Sequence, residues 1–210
     1  MSDSAEPQGT VVLKVSGLTV VYGPQTAVAG VSLEIVRGEI FGLLGPNGAG
    51  KTSTLAAIEG LIAPRSGTVT VDGLDLRRHP AQARSRLGVQ LQSSSFQPEL
   101  SIEQIAALYG GLYGVRLSRE QIRRSLEEIG LDQERGKRFK QLSGGQQQRL
   151  ALYIATIHDP LLLLLDEPTS GLDPQSRRAL WSRIELLRGR GSSILLTTHS
   201  MEEAQAVCDR

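Results

Sequence analysis

The sequence predicts an α/β fold in which a mainly parallel sheet carries a phosphate-binding loop. An apolar stretch at 39–45 runs directly into the glycine-rich sequence GPNGAGKT at 45–52. Two further apolar stretches, 161–167 and 193–199, end in acidic residues and in a histidine. Strands buried on both faces are typical of parallel sheets, and such sheets bind ligands beyond the carboxyl ends of their strands. The glycine loop and the acidic pair are therefore expected to lie at the same edge of the sheet.

The composition is that of one ordinary globular domain. The 210 residues are 40% hydrophobic and 21% charged, enough for one α/β domain with a full core. The net charge of +1 provides no overall attraction to nucleic acid or to an anionic membrane. Cys208 is the only cysteine, which excludes an internal disulfide and favours a reducing, cytosolic setting.

No stretch of the sequence predicts a membrane span. The longest apolar run, 161–165, is far shorter than the roughly 20 residues that a transmembrane helix needs. Residues 1–10 have no apolar segment and are predicted to be a disordered lead-in rather than a signal peptide. The chain itself is not expected to be embedded in a membrane.

The first third of the chain predicts short strands. Residues 11–23, 31–38 and 66–73 alternate apolar with polar residues and end at glycines, which favours half-exposed antiparallel strands. Residues 39–45 are apolar on both faces, so we expect a central parallel strand there. The helix that follows it begins at the glycine loop and continues through 51–62.

The middle of the chain, about 93–150, predicts helices. Four apolar residues recur at helical spacing and are expected to share one buried face: Ile102, Ile105, Leu108 and Leu112. The helix within 118–130 opens with a capping box formed by Ser118 and Gln121, and it closes on Gly130. We therefore expect a packed helical subdomain.

The last third returns to alternating strands and helices. Residues 161–167 predict a buried strand, because five apolar residues stand directly before an acidic pair. A helix near 175–188, a strand at 193–199 and a helix from Met201 follow.

The glycine loop predicts nucleotide binding. Gly45, Gly50, Lys51 and Thr52 satisfy G-x-x-x-x-G-K-[ST] between a predicted strand and a predicted helix. In such a loop backbone N–H groups surround a phosphate chain, the lysine reaches the β- and γ-phosphates, and the threonine hydroxyl binds Mg²⁺.

Two carboxylates follow the buried strand at 161–165. Asp166 and Glu167 lie where the parallel sheet is expected to bind its ligand. One carboxylate can bind the metal ion while the other orients or deprotonates water.

A second phosphate-type turn lies almost a hundred residues beyond the first. LSGGQQQRL at 142–150 places a hydroxyl and two glycines directly before a helix-forming stretch. Free backbone N–H groups at such a helix start favour an anion. The sequence thus has two turns of this kind, and one nucleotide needs only the first.

Together these residues resemble the nucleotide-binding subunit of an ABC transporter over nearly the whole chain. Residues 45–52 resemble the family's Walker A motif, 161–167 its Walker B motif and 142–150 its signature. Residues 170–173 resemble the D-loop. Three single residues also match positions with a known role in the family: His199 resembles the switch histidine, Gln92 the Q-loop glutamine and Tyr22 the adenine-stacking aromatic.

The resemblance implies a P-loop NTPase core with a mainly parallel sheet, an N-terminal antiparallel β subdomain and an inserted helical subdomain at about 93–150. The ABC ATPase domain would span 11–210 after the lead-in of 1–10. The family's last strands normally follow a stretch such as EEAQAVCDR at 202–210, so the resemblance also implies a C-terminally truncated chain.

The resemblance assigns roles to particular residues. Catalytic roles fall on Glu167, His199 and Gln92, and Mg²⁺ would be bound by Thr52, Gln92 and Asp166. ATP would contact one set of residues from its own subunit, namely Tyr22, Gly45, Pro46, Asn47, Gly48, Ala49, Gly50, Lys51, Thr52 and Ser53. A second subunit would add Ser143, Gly144, Gly145, Gln146 and Asp173, so that two ATP molecules lie in a head-to-tail homodimer.

The implied function is ATP hydrolysis by the subunit of a bacterial exporter for a drug, an antibiotic, a lipid or a polysaccharide. Its partner would be a separate membrane-spanning permease, contacted by the segment after Gln92, and its place the cytoplasmic face of the cell membrane. Nucleic acid is not expected as a partner. Two alternatives remain: an ABC ATPase of DNA repair or translation, and a small-molecule kinase.

Overall fold

The computed structural model describes residues 9–90 and 96–210. The expectation for most of the 1–10 lead-in and the expectations for Gln92 therefore lie outside the described residues. In the part of the chain that the structure describes, no helix is long and apolar enough to cross a membrane.

The described residues form eight strands and seven α-helices, with short 3₁₀ turns at Asp132–Glu134 and Phe139–Gln141. In chain order these are β1 (Val11–Tyr22), β2 (Gln25–Val36), β3 (Ile40–Leu44), α1 (Lys51–Ile58), β4 (Ser66–Val71), β5 (Leu74–Asp75), α2 (Pro80–Arg84), β6 (Leu87–Gln90), α3 (Ile102–Leu112), α4 (Arg119–Glu128), α5 (Gly144–Thr156), β7 (Leu162–Asp166), α6 (Pro174–Gly189), β8 (Ser193–Thr198) and α7 (Met201–Val207).

The first sheet is antiparallel, with the strand order β2-β1-β4-β5. β1 and β2 form a hairpin in which Tyr22 pairs with Gln25. β2 begins six residues before the predicted start at residue 31. The prediction missed this part because the turn is tight: Gly23 adopts a φ of +54°, and pairing resumes after Pro24.

The second sheet is parallel, with the strand order β3-β8-β7-β6. Every residue of β7 and β8 is buried, as expected for strands covered on both faces. Among the described strands β3 is the outermost of this sheet, and not a central one as expected. On the side away from β8, β3 forms two backbone hydrogen bonds with the last residues of the chain. The Asp209 N–H donates to the Ile40 carbonyl, and the Gly42 N–H donates to the Arg210 carbonyl. An apolar pattern reports which faces are covered and not which edges are paired.

Helices α3, α4 and α5 share a cluster of buried residues of their own, which includes Ile105, Leu126 and Leu150. Part of the predicted face of α3 is wrong, since Leu108 is 39% exposed and Leu112 is 71% exposed. An α-helix advances about 100° per residue, which turns Leu108 about 120° away from Ile102. The buried face follows Ile102, Ile105 and Ala106 instead, and Leu112 is the last residue of the helix.

The predicted capping box of α4 is confirmed. The Gln121 N–H donates to the Ser118 hydroxyl, and the Ser118 N–H donates to the Gln121 side-chain oxygen. Gly130 follows the helix with a φ of +65°. The α/β fold with an N-terminal antiparallel sheet and a parallel sheet is also confirmed, whereas the subdomain bounds of 93 and 150 stay a prediction.

Candidate functional site

The glycine loop connects the end of β3 to the start of α1. Gly45 is fixed to the neighbouring strand by its N–H, which donates to the Thr198 carbonyl at 3.3 Å. Gly50 adopts a φ of +88°, and a Cβ atom there would collide with the Ala27 carbonyl oxygen. Only glycine fits this position, where the chain enters α1 and leaves the first N–H groups of the helix available to an anion.

Lys51 is held at the centre of this loop. Its ammonium group donates to the Gly45 carbonyl at 2.7 Å and to the Pro46 carbonyl at 3.1 Å. The same nitrogen lies 3.3 Å from Glu167 Oε1, and the lysine side chain is only 7% exposed. A nearly buried cation is thus fixed between the loop and the acidic pair.

The loop forms one wall of a cleft of about 480 Å³. The β1–β2 hairpin also lines this cleft, and its Tyr22 is half-exposed. Its lining residues are Tyr22, Gln25, Thr26, Ala27, Asn47, Gly48, Ala49, Gly50, Lys51, Thr52, Ser53 and Glu167. The structure therefore brings the predicted adenine-stacking residue and the phosphate loop into one cavity.

Asp166 lies at the carboxyl end of β7 and is buried. Its Oδ2 accepts a hydrogen bond from the Thr52 hydroxyl at 2.9 Å, and its Oδ1 accepts one from the Thr197 hydroxyl at 2.6 Å. A hydroxyl and a carboxylate in contact are hard oxygen ligands of the kind that Mg²⁺ prefers.

No group of three or more His, Cys, Asp or Glu side chains is arranged for a metal ion within 9–90 and 96–210. Mg²⁺ in a nucleotide site typically binds one or two protein groups and completes its shell with phosphate oxygens and water. The pair Thr52 and Asp166 fits such an ion. The predicted contribution of Gln92 lies outside the described residues.

Glu167 has an unusual backbone conformation with a φ of +45°. For a residue with a side chain this conformation costs on the order of 1–3 kcal/mol, and it persists only where the surroundings enforce it. Here the Glu167 N–H donates to the Thr197 hydroxyl at 2.9 Å. Thr197 therefore fixes both carboxylate residues, since its hydroxyl donates to Asp166 and accepts from Glu167.

The Glu167 carboxylate lies between two nitrogen atoms. Lys51 Nζ is near Oε1, and Nδ1 of the exposed His199 lies 3.3 Å from Oε2. The glutamate side chain is 10% exposed at this point. A carboxylate that is nearly buried yet reaches the cleft is placed to orient a water molecule or to accept its proton.

The second phosphate-type turn is well formed but lies elsewhere. Ser143 caps α5, where a capping box joins its hydroxyl to the Gln146 N–H and its N–H to the Gln146 side chain. Gly144 and Gly145 occupy the first turn, and a Cβ at Gly145 would lie 2.7 Å from Ser176 Oγ on α6. None of the described residues that line the cleft belongs to 142–150.

Asp173 caps α6 beside this turn. Its carboxylate accepts the N–H groups of Gln175 at 2.9 Å and Ser176 at 3.0 Å. The Ser176 hydroxyl and the two backbone N–H groups hold the pKa of Asp173 below its ordinary value. The structure thus separates the predicted site into two groups of residues: the cleft with its carboxylates, and the α5 and α6 starts with Ser143 and Asp173.

Sequence reasoning missed three polar residues around the acidic pair. Thr197 contacts both carboxylate residues, Glu203 accepts hydrogen bonds beside them, and Glu59 is buried behind Asp166. Burial, together with the negative charge of Asp166, raises the pKa of Glu59 to about 7. The spacing of Ser200 and Glu203 predicts a capping box, which is a helix cap and not a part of this site.

Known proteins with similar sequences point to one family. The family model described as "ABC transporter" matches residues 28–170. A Nod factor export ATP-binding protein I of Paraburkholderia xenovorans is 42% identical over 191 residues, which are 90% of this chain and 63% of that protein. The protein of the same name from Ralstonia nicotianae is 42% identical over 202 residues, or 95% of this chain and 63% of that protein. The chain therefore spans somewhat less than two thirds of the length of these two relatives.

Solved structures agree with the sequence matches. A structure described as the ATP-binding subunit of an ABC transporter superposes with a TM-score of 0.85 at 31% identity, covering 94% of this chain and 83% of that one. A component of an ABC transporter complex from Clostridium perfringens superposes with a TM-score of 0.81 at 28% identity, covering 95% and 83%. The family resemblance of the sequence motifs is thus confirmed: this chain belongs to the ABC transporter family, as an ATP-binding domain.

Proposed function

We propose that this chain hydrolyses ATP to ADP and phosphate as the nucleotide-binding subunit of a bacterial ABC exporter. One observation carries the proposal. Tyr22, the phosphate loop with Lys51 and Thr52, and Glu167 line one cleft, while Asp166 contacts Thr52 and His199 contacts Glu167.

Each of these groups has a chemical task in the proposed reaction. The N–H groups of the loop and the Lys51 ammonium stabilise the negative charge on the β- and γ-phosphates. The Glu167 carboxylate accepts a proton from the attacking water, and His199 lies beside it to contact the γ-phosphate. The half-exposed Tyr22 ring offers a flat surface for the adenine.

Mg²⁺ would be held by Asp166 and by the Thr52 hydroxyl, with Gln92 as a further proposed ligand. When bound, the ion neutralises the charge that develops on the phosphate oxygens. The protein prepares this site through Thr197, because a second hydroxyl on Asp166 fixes the orientation of the carboxylate.

A head-to-tail homodimer would unite the two groups of residues. The turn at Ser143–Gln146 has N–H groups suited to a phosphate, yet it lies outside the cleft of its own chain. A second subunit would bring this turn and Asp173 onto the γ-phosphate. Loss of that phosphate on hydrolysis would then loosen the dimer.

ABC ATP-binding subunits work with membrane permeases, and this chain would act on a separate permease at the cytoplasmic face of the cell membrane. The names of the relatives, Nod factor export proteins, support export and do not support a role on nucleic acid. The proposed cargo is a drug-like compound, an antibiotic, a lipid or a polysaccharide.

The exchange of Glu167 for glutamine tests the proposal. Glutamine keeps the size and hydrogen bonding of the side chain but cannot accept a proton at neutral pH. We expect Glu167→Gln to bind ATP with nearly unchanged affinity and to hydrolyse it about 10²–10⁴-fold more slowly. Phosphate release and the binding of a fluorescent ATP analogue measure the two effects.

Lys51→Ala is the contrasting variant. It removes the cation itself, so both ATP binding and hydrolysis should be lost while the fold is kept. Hydrolysis by Glu167→Gln at the rate of the unaltered protein would refute the role of Glu167. Transfer of phosphate to a small-molecule acceptor would favour the kinase alternative.

A further inference from the structure

Glu203 lies in the first turn of α7, and its side chain is only 11% exposed. Its carboxylate contacts three side chains. Oε1 accepts the Thr169 hydroxyl at 2.7 Å, Oε2 accepts the Thr198 hydroxyl at 2.9 Å, and the Arg177 Nε lies 3.4 Å from Oε1. Both carboxylate oxygens are thus bound, one of them twice.

The three partners belong to three different segments of the site. Thr169 is two residues after Glu167, and Thr198 directly precedes His199. Arg177 lies in the first turn of α6, where its N–H donates to the Asp173 carbonyl at 3.0 Å. A single carboxylate therefore connects the segments that carry Glu167, His199 and Asp173.

Helix capping does not account for this arrangement. The Ser200 hydroxyl caps α7 by accepting the Glu203 N–H at 3.3 Å. The Ser200 N–H, however, donates to the Thr198 hydroxyl at 3.0 Å and not to Glu203. The capping box that the spacing predicts is therefore only half formed, and the carboxylate is directed into the site instead.

We propose that Glu203 is a positioning residue that holds Glu167 and His199 at their working distance. Glu167 has a left-handed backbone, so its segment needs an external anchor, and Thr169 provides one through Glu203. The same carboxylate fixes Thr198 and hence the start of the His199 loop. This inference rests on the proposed ATPase function, because it concerns the positions of the two side chains proposed to act in hydrolysis. Glu203 itself is assigned no contact with ATP.

Glu203→Ala should slow hydrolysis without weakening nucleotide binding. Displacing catalytic groups by about 1 Å can cost about 10²-fold, so we expect kcat to fall by about 10–100-fold while KM changes less than about threefold. Glu203→Gln keeps the shape and one acceptor and should restore part of the rate. Glu202→Gln is the matched control, because Glu202 is the exposed neighbour on the same helix turn and its exchange removes the same charge.

A double-mutant cycle identifies the route of the effect. Thr169→Val removes the hydroxyl that Glu203 accepts but keeps the shape of the buried side chain. If Glu203 acts through Thr169, the double variant should be hardly slower than Glu203→Ala alone. Fully additive losses in kcat would show that the two residues act independently and would overturn this part of the proposal.

Histidine NMR of the nucleotide-free protein gives a readout that does not depend on turnover. The chain has three histidines, His79, His158 and His199. In Glu203→Ala we expect the ring signals of His199 to shift while those of the other two remain in place. Parallel shifts of all three, or a lower melting temperature with KM and kcat changed together, would show a merely structural role and overturn the proposal.

The two proposals fail in different ways. If the unaltered protein does not hydrolyse ATP, the proposed function fails, and the His199 signals still decide whether Glu203 fixes that loop. If hydrolysis is normal but Glu203→Ala has unchanged kcat and unchanged His199 signals, only the role of Glu203 is refuted.

Discussion

At the scale of single residues, the carboxylates behind the phosphate loop differ in how they are compensated. Asp166 accepts two hydroxyl hydrogen bonds, and Glu167 lies between Lys51 and His199. Glu59 is equally enclosed, but its Oε1 has no hydrogen-bond partner within the described residues. Burial and the charge of Asp166 raise the pKa of Glu59 to about 7, which makes its ionised form costly.

Glu59 should therefore reduce stability at neutral and alkaline pH. The folded protein binds the proton up to about pH 7, while the unfolded chain releases it near the ordinary value of 4.5. The free energy of unfolding should accordingly fall as the pH rises from 4.5 to 7 and should lose no more from this group above 7. Glu59→Gln removes the effect, so it should be more stable than the unaltered protein above pH 7, by at most about 3 kcal/mol.

Urea unfolding between pH 4 and pH 8 in the presence of EDTA measures this difference. Near pH 4 the two proteins should be equally stable, because Glu59 is then protonated in both states. Glu127→Gln is the control, since Glu127 is exposed on α4 and its exchange should leave the pH profile unchanged. A constant difference between Glu59→Gln and the unaltered protein at every pH would contradict the prediction.

Some site residues can be recognised from a short stretch of sequence, whereas the missed residues are defined by contacts between distant parts of the chain. Lys51 and Thr52 follow from one short motif whose strand–loop–helix context is visible in the sequence. Thr197 and Glu203 act through contacts with residues about 30 positions away in the chain, Asp166 and Thr169. No spacing in a single sequence records such contacts, so only the folded structure shows them.

At the scale of elements, hydrophobic periodicity predicts whether a segment is a strand or a helix. It predicts less well which other elements pack against that segment. The buried strand at 161–167 and the helix that opens at Ser118 are found as expected. The edge position of β3 and the exposure of Leu112 are not, because both depend on which neighbour covers an element. A run of apolar residues on a strand or helix does not indicate which element packs against it.

The two ends of α3 should therefore respond very differently to shortening of a side chain. Ile105 is fully buried among α4 and α5, whereas Leu112 is 71% exposed. Ile105→Ala creates a cavity and should lower the free energy of unfolding by about 2–5 kcal/mol. Leu112→Ala should change it by no more than about 0.5 kcal/mol. Equal losses in denaturant unfolding would show that Leu112 is buried in solution.

At the scale of the whole molecule, the proposed homodimer requires the chain to hold two separate parts of one nucleotide site. The loop and Glu167 line the cleft, and the turn of Ser143 at the start of α5 is not among the described residues that line it. Each part is internally well ordered: Lys51 is bound by two loop carbonyls, and Ser143 forms a complete capping box. Two chains in head-to-tail contact would complete two equal sites.

Mixing two inactive variants tests whether sites are shared in this way. Lys51→Ala disables the loop, and Ser143→Arg blocks the exposed signature turn by size and charge. Each homodimer then has two defective sites, whereas a mixed dimer combines both defects in one site and leaves the other intact. Random mixing makes about half of the dimers mixed, so roughly a quarter of all sites should be whole. We expect ATPase activity to recover partly on mixing, measured under conditions in which cross-linking confirms the dimer.

The matched control for Ser143→Arg is Ser118→Arg. Ser118 is also exposed and also forms a complete capping box with the glutamine three residues on, so both exchanges remove the same helix cap. Loss of such a cap costs about 0.5–2 kcal/mol, and the two variants should be destabilised alike. Only Ser143→Arg should lose activity, because only its turn is expected to meet ATP. If confirmed mixed dimers are no more active than either parent, a shared site that works on its own is excluded. Full activity of the Ser143→Arg homodimer would show that the signature turn takes no part in hydrolysis.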